Sequence, residues 1–324
     1  MTDDPFEACW YRWKRADSHR RDMVNVWNDY MERQTHDFEL VHEGQGVHIM
    51  RVIENEPVPA DFAGLFGEWL YNLRASLDYI VWAAASYASG MLPPPNEGVL
   101  QYPIYDNEAA WKANLHRIKG LPEHQRQRLK MMQPFASDLD ANFLGWINRL
   151  ARIDRHRTLV DGACYLAELR PVLATDRSRT ATLQWGSRVV RGPVTDVVRV
   201  TITPWDNDAT VRFNPRAGLD PEIDQWSISP FWGSKRFGDR VAFMQMSVEG
   251  EIATYEYDCK GTSRRADMLT DGFRRECDAR GGGKLPVRTA RPSEQWSAPV
   301  GPTPTTLERI IGEVEEMQQP PRAD

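Results

Sequence analysis

At 324 residues the chain can hold two ordinary domains, or one with appendages, and can bury a sizeable core. An apolar content of 41% with twelve Trp excludes a disordered chain, and a net charge of −6 gives no global attraction to nucleic acid or to a membrane. The longest apolar run, Ile80 to Ala88, is too short to span a bilayer, so no membrane partner is expected. The start MTDDPFEACW lacks a basic region and an apolar core, so no signal peptide is read there. Cys9, Cys164, Cys259 and Cys277 are scattered without metal-ligand spacing, which points to free thiols and a cytoplasmic location.

In chain order, Asp4-Pro5-Phe6-Glu7 is a good helix start, and Phe6, Trp10, Trp13, Val24, Trp27 and Met31 continue a helical stripe to about Gln34. FELVHEGQGVHIMRVIE alternates on both sides of Glu43–Gly46 and predicts a β-hairpin over 37–54. A second helix is predicted from about Ala60 to Gly90; Gly64 and Gly67 inside it suggest that another backbone approaches closely. After the loop MLPPPNEG and the extended QYPIY come helices at 107–118, 122–132 and 139–160. Beyond Arg170, short runs rich in Val, Thr and aromatics (180–190, 196–205, 210–214, 240–248 and 252–258) predict an antiparallel sheet. A helix at 262–277, a Gly/Pro-rich linker at 279–304 and an amphipathic helix at 305–318 close the chain. The expected class is α+β: a helical N-terminal bundle (1–170) with the inserted hairpin, a β-rich domain (171–278), the linker and the final helix.

The positions that carry chemistry are two helical segments mixing arginine with aspartate. On the second helix, Arg74 and Asp78 form an i,i+4 pair at the rim of the apolar stripe, with Tyr79 on the other rim. On the helix predicted over 139–160, Asp154 falls on the apolar stripe, while Arg149, Arg152 and His156 share another face. A buried carboxylate needs a cation or several donors, and Arg157, Arg74 and backbone amides are the candidates. Between His116 and Arg157 nine Lys/Arg face four acids, a local basic excess that includes Arg126, Arg128, Lys130, Arg155 and Arg157.

The set NLRASLDYIVWA, QYPI and ARIDRHRTL resembles a family of bacterial and phage proteins whose pattern runs LRSALDHLVWAL, FPI, NIDKHRLL. The resemblance covers about residues 60–160 and implies shared architecture, with no established activity. More loosely, the chain resembles the HEPN superfamily of helical, metal-independent ribonucleases, which carry Arg, four to six residues, then His on a helix lining a dimer cleft. Arg74 with Tyr79 departs from that motif, because tyrosine stands where the histidine belongs; Arg149 with His156 fits the spacing. The resemblance implies RNA as partner, a homodimer, a setting in phage–host conflict, and a metal-free reaction. In it His156 would move a proton at an RNA 2′-hydroxyl, and Arg149 and Arg74 would stabilise the phosphate. Asp78 or Asp154 would orient them, with Tyr79 a hydrogen-bond donor. Arg126, Arg128, Lys130, Arg152, Arg155 and Arg157 would hold the nucleic acid.

Other motifs carry less. His36, His42 and His48 recur every sixth residue, but metal binding there is not expected, and no cofactor is implied. Gly281-Gly282-Gly283-Lys284 lacks the strand and the hydroxyl residue of a phosphate loop. Trp185, Trp205, Trp226 and Trp232 are candidates for a binding face. Two readings stand. One is a HEPN-like RNA-binding protein or ribonuclease. The other is a non-enzymatic interaction protein, its Arg–Asp sites structural, engaging a protein partner or a second copy through 305–318 or the exposed Trp residues.

Overall fold

The computed structural model describes residues 4–156, 162–174, 178–206, 211–233 and 235–289. Its class is α+β, as the alternation of helical and strand periodicities predicts. Residues 1–288 form one compact unit and 289–324 a second. The helix expected over 305–318 and the linker from 290 onward lie outside the described residues.

Three long helices make the centre. The Asp4 Oδ1 accepts the amide of Phe6 at 3.0 Å and starts α1 (Phe6–Glu32). After the hairpin β1 (His36–Gly44) and β2 (Val47–Glu54), α2 runs over Ala60–Ser89 and stops at Gly90, whose φ of 68° suits a residue without a Cβ. α1 and α2 pack antiparallel: Trp27 lies against Phe62, while at the other end Ser76 donates to the Cys9 carbonyl. The chain then forms β3 (Met91–Leu92), α3 (Glu108–Ala113), α4 (Glu123–Met131) and α5 (Phe143–His156).

Strands follow: β4 (Gly162–Leu169), β5 (Val172–Ala174), β6 (Thr180–Trp185), β7 (Val189–Val190), β8 (Val194–Thr203), β9 (Arg212–Asn214) and β10 (Ala217–Ile223). Next come the short α6 (Asp224–Ser227), α7 (Phe237–Lys260), α8 (Asp271–Arg280) and β11 (Val287–Arg288). β1-β2-β8-β6 is an antiparallel four-stranded sheet, β10-β4-β7 a three-stranded one, and β5 pairs with β9. The expected boundary at residue 170 is crossed twice, because the hairpin joins β8 through β2 and β4 joins β10.

Two expectations fail. Residues 240–248 and 252–258 are not strands; they belong to α7, the third central helix, which lies against both α1 and α2. Its buried positions recur at helical spacing, but Arg240, Gln245, Glu249, Glu251 and Glu256 occupy five of them and hide the apolar stripe. Each has a partner outside the helix, Glu222 for Arg240 and Arg265 for Glu249 among them. Gln245 accepts from Trp69 Nε1 and donates to Asp17, Glu251 accepts from the Tyr102 hydroxyl at 2.8 Å, and Glu256 accepts from Trp10 Nε1 at 3.0 Å. The second failure is the start of the expected linker. Residues 271–280 are α8, and β11 pairs in parallel with β3, so the chain up to Arg288 is part of the fold.

Candidate functional site

The arginine on α2 is committed to the fold. Arg74 is 6% exposed; its Nη1 donates to Asp78 Oδ1 at 2.7 Å and its Nη2 to the Tyr102 carbonyl at 2.7 Å. Asp78 Oδ1 accepts the Tyr102 amide at 2.9 Å. The pair therefore satisfies both backbone polar groups of Tyr102, which has no ladder partner in its extended QYPI segment. LRASLD and QYPI, two of the stretches behind the family resemblance, are a single structural unit.

Asp154 meets α2 two turns away. A Cβ built on Gly67 would lie 2.6 Å from both Asp154 carboxylate oxygens and 2.8 Å from its Cγ. The close approach expected at Gly67 is made by this side chain rather than by a backbone, and Gly64 has nothing within 4 Å. Seven residues of helix, about 10 Å of rise, separate Gly67 from Arg74. Arg74 is thus not the cation that faces Asp154. Gly67→Ala is expected to destabilise by about 1–3 kcal/mol, overpacking outweighing the helix-propensity gain. Gly64→Ala should instead stabilise by up to about 1 kcal/mol. Denaturant melts of the two variants check the opposite signs, and Asp154→Ala in the Gly67→Ala background should recover most of the loss.

Tyr79 turns toward α1, where the Arg12 guanidinium lies 5.8 Å from its ring. The basic residues of α4 are largely compensated: Arg126 pairs with Glu123, and Lys130 with Glu108 at 2.9 Å, while Arg128 covers the Phe273 ring at 4.3 Å. Arg149 and Arg152 are exposed on α5, and Arg149 lies 4.5 Å over Trp146. His156 ends α5; its side chain, that of Arg155, and Arg157 lie outside what is described.

Beside α5 runs an apolar ledge that the sequence reading missed. Trp146 Nε1 donates to the Asp140 carbonyl at 2.9 Å, which Ser229 Oγ also approaches, and Ser229 Oγ accepts the amide of Trp232. Around Trp232 the rings are continuous: Phe231 at 4.8 Å, Phe243 at 5.2 Å, and Phe143 of α5 at 6.4 Å from Phe243. Phe231 is 44% exposed and Phe243 42%, with Lys235 Nζ 5.9 Å from the Phe231 ring. Of the four tryptophans proposed as a binding face, Trp226 and Trp232 are buried and Trp205 packs on His42 and His48. Trp185 alone of the four is largely exposed. Phe243 escaped notice because its segment read as a strand.

A second polar cluster lies between α4, α7 and α8. Asp258 accepts from His124 at 2.8 Å, Gln125 at 2.7 Å and Arg280 at 2.6 Å, with Cys277 Sγ at 3.5 Å. Burial alone would raise the Asp258 carboxyl, but the hydrogen bonds from Gln125, Arg280 and His124 hold it below its ordinary range. Burial pushes the neighbouring thiols up, Cys277 to about 11 and Cys259 to about 12, so neither is an activated nucleophile. The cluster ties three helices together.

Among the described residues no helix is long and apolar enough to cross a membrane. No protein-family model matches this chain, and neither a curated protein nor a solved structure matches it significantly.

Proposed function

We propose that the chain binds single-stranded RNA along the outer face of α5 and the aromatic ledge beside it. One observation carries the reading: α5 carries two exposed arginines, Arg149 and Arg152, and its Phe143 meets the ring cluster that ends in solvent-facing Phe243 and Phe231, with Lys235 beside Phe231. Exposed rings offer stacking platforms to any base, and neighbouring guanidinium groups meet the phosphates between them. The acidic net charge restricts such binding to a local patch rather than to the whole surface. In this reading Arg74, Asp78 and Asp154 support the helices and take no part in chemistry.

A metal-independent ribonuclease is the second reading. It is supported by α5 running to His156, seven residues after Arg149 on the same helix. It would require a second copy of the chain to complete the cleft.

Anisotropy of a labelled oligouridine, titrated at several salt concentrations, tests the binding. Arg149→Ala with Arg152→Ala should lower affinity and reduce the salt slope by roughly 1.4, at about 0.7 per phosphate contact. Phe243→Ala should weaken binding by about 1–3 kcal/mol per stacked base. Unchanged affinity in both variants overturns the reading and leaves the ledge as a protein-docking surface. Cyclic-phosphate ends made by the parent but not by His156→Ala would establish the ribonuclease.

A further inference from the structure

We infer that His36, Glu54 and Cys164 form a binding site for a zinc-like divalent cation, joining the β1–β2 hairpin to β4. His36 and Glu54 are opposite one another at the open end of the hairpin register. Cys164 comes from β4, in a different sheet, where it pairs with Pro221 and Val190. The three ligand atoms lie within 4.8 Å of one another. Cys164 is fully buried, while His36 and Glu54 are half-buried, which leaves a path from solvent.

The histidine is set up to ligate. Its Nδ1 lies 3.0 Å from the hydroxyl of Thr35, itself buried. The Tyr30 hydroxyl, beside both Thr35 and Cys164, donates to the Glu56 carbonyl at 2.7 Å. With His36 giving its Nδ1 proton to the Thr35 oxygen, the other ring nitrogen keeps its lone pair. Nε2 is then an acceptor, and it is buried with no hydrogen-bond partner among the described residues. A ligating imidazole needs this arrangement, one nitrogen fixed by a neighbour and the other lone pair aimed at the ion.

The donor set fits. Thiolate, imidazole and carboxylate are the zinc ligands, and two anionic ligands neutralise a divalent ion in a half-buried corner. On binding, a metal–sulfur bond forms and the Cys164 proton leaves to solvent; no electron is transferred. With metal–ligand bonds of about 2.0–2.3 Å, ligand atoms in a tetrahedral shell lie roughly 3.3–3.8 Å apart. Side-chain rotations of about an ångström close the present spacing, and water takes the fourth position. The cluster around Asp258 does not compete on equal terms, because Gln125, Arg280 and His124 already occupy that carboxylate.

Titration of the purified chain with cobalt(II) alone tests the site, read by the thiolate-to-cobalt band in the near ultraviolet. One equivalent should bind, and zinc should displace it. Cys164→Ser should abolish the band and Cys277→Ser should keep it. His36→Gln and Glu54→Gln, at half-buried positions, should weaken binding at least tenfold, and Thr35→Ala about tenfold through loss of the imidazole's support. Circular dichroism of each variant separates lost ligation from lost fold. The proposal is overturned if the parent shows no saturable binding, if the band survives in Cys164→Ser, or if folded His36→Gln and Glu54→Gln bind as the parent does.

Discussion

Replacing Arg240 with methionine is expected to cost about 3–5 kcal/mol of stability, read by denaturant melting. Arg240 and Glu222 are both 0% exposed, and Arg240 Nη2 donates to the two carboxylate oxygens at 2.7 and 2.6 Å. The guanidinium also lies 4.7 Å over Trp226. Removing the cation strands a carboxylate in the core, with the Ile223 amide as its other hydrogen-bond donor. Burial holds the Glu222 carboxyl above its ordinary range even against the pull of Arg240. In the variant it rises further, so the folded state binds a proton that the unfolded state releases. The sign follows: the deficit grows as pH rises above the ordinary carboxylate range and shrinks in acid. Adding Glu222→Leu should recover most of the loss, since a well-packed apolar pair avoids the desolvation altogether. A deficit below about 1 kcal/mol in the single variant would mean that solvent reaches the pair.

Arg74→Ala is expected to destabilise by about 2–4 kcal/mol, less than Arg240 because Asp78 is 34% exposed at its side chain and water can replace part of the lost bond. Two acceptors lose a donor: the Tyr102 carbonyl, and Asp78 Oδ1, which keeps the Tyr102 amide. The damage should spread locally. Tyr102 carries the hydroxyl that donates to Glu251 of α7, so hydrogen exchange should quicken in the 101–105 segment before it does in α1. An unchanged melting temperature would instead mean that the guanidinium stands ready for a ligand. Arg74→Lys restores the charge but cannot bridge a carboxylate and a carbonyl with one planar fork, and should recover only part of the stability.

The legible parts of the fold share one property: their buried faces are mainly apolar. Phe6, Trp10 and Trp27 on α1, and Phe62, Phe66, Trp69 and Leu73 on α2, are buried as their spacing requires. The hairpin was legible because Gly44 and Gly46, with φ of 99° and 79°, bracket a turn that alternation on both sides had located. α7 was not legible. Its buried Arg, Gln and Glu residues are tolerated because groups outside the helix meet them, Glu222 and Arg265 from the flanking chain and Trp10, Trp69 and Tyr102 from far along it.

The charged positions divide the same way. The i,i+4 rule anticipated the Arg74–Asp78 pair, because both partners sit on one helix. Gly67 and Asp154 each stood out in the sequence, one as a weak helix former and one as a carboxylate on an apolar stripe, but nothing local linked them. His36 and Glu54 are equidistant from Gln45, so the hairpin register alone sets them opposite; Cys164 joins only through a second sheet.

Periodicity and turn chemistry, which act over a few residues, were sufficient to define α1, α2, the hairpin and the α+β class. Packing alone chose the partners of Asp154, Arg240 and His36, gave Arg74 its second acceptor at Tyr102, and made the ledge at Phe231 and Phe243. The reason is range: a helix or a turn is encoded by neighbours in the chain, whereas the free energy of a buried charge depends on whichever group folding brings within a few ångströms of it.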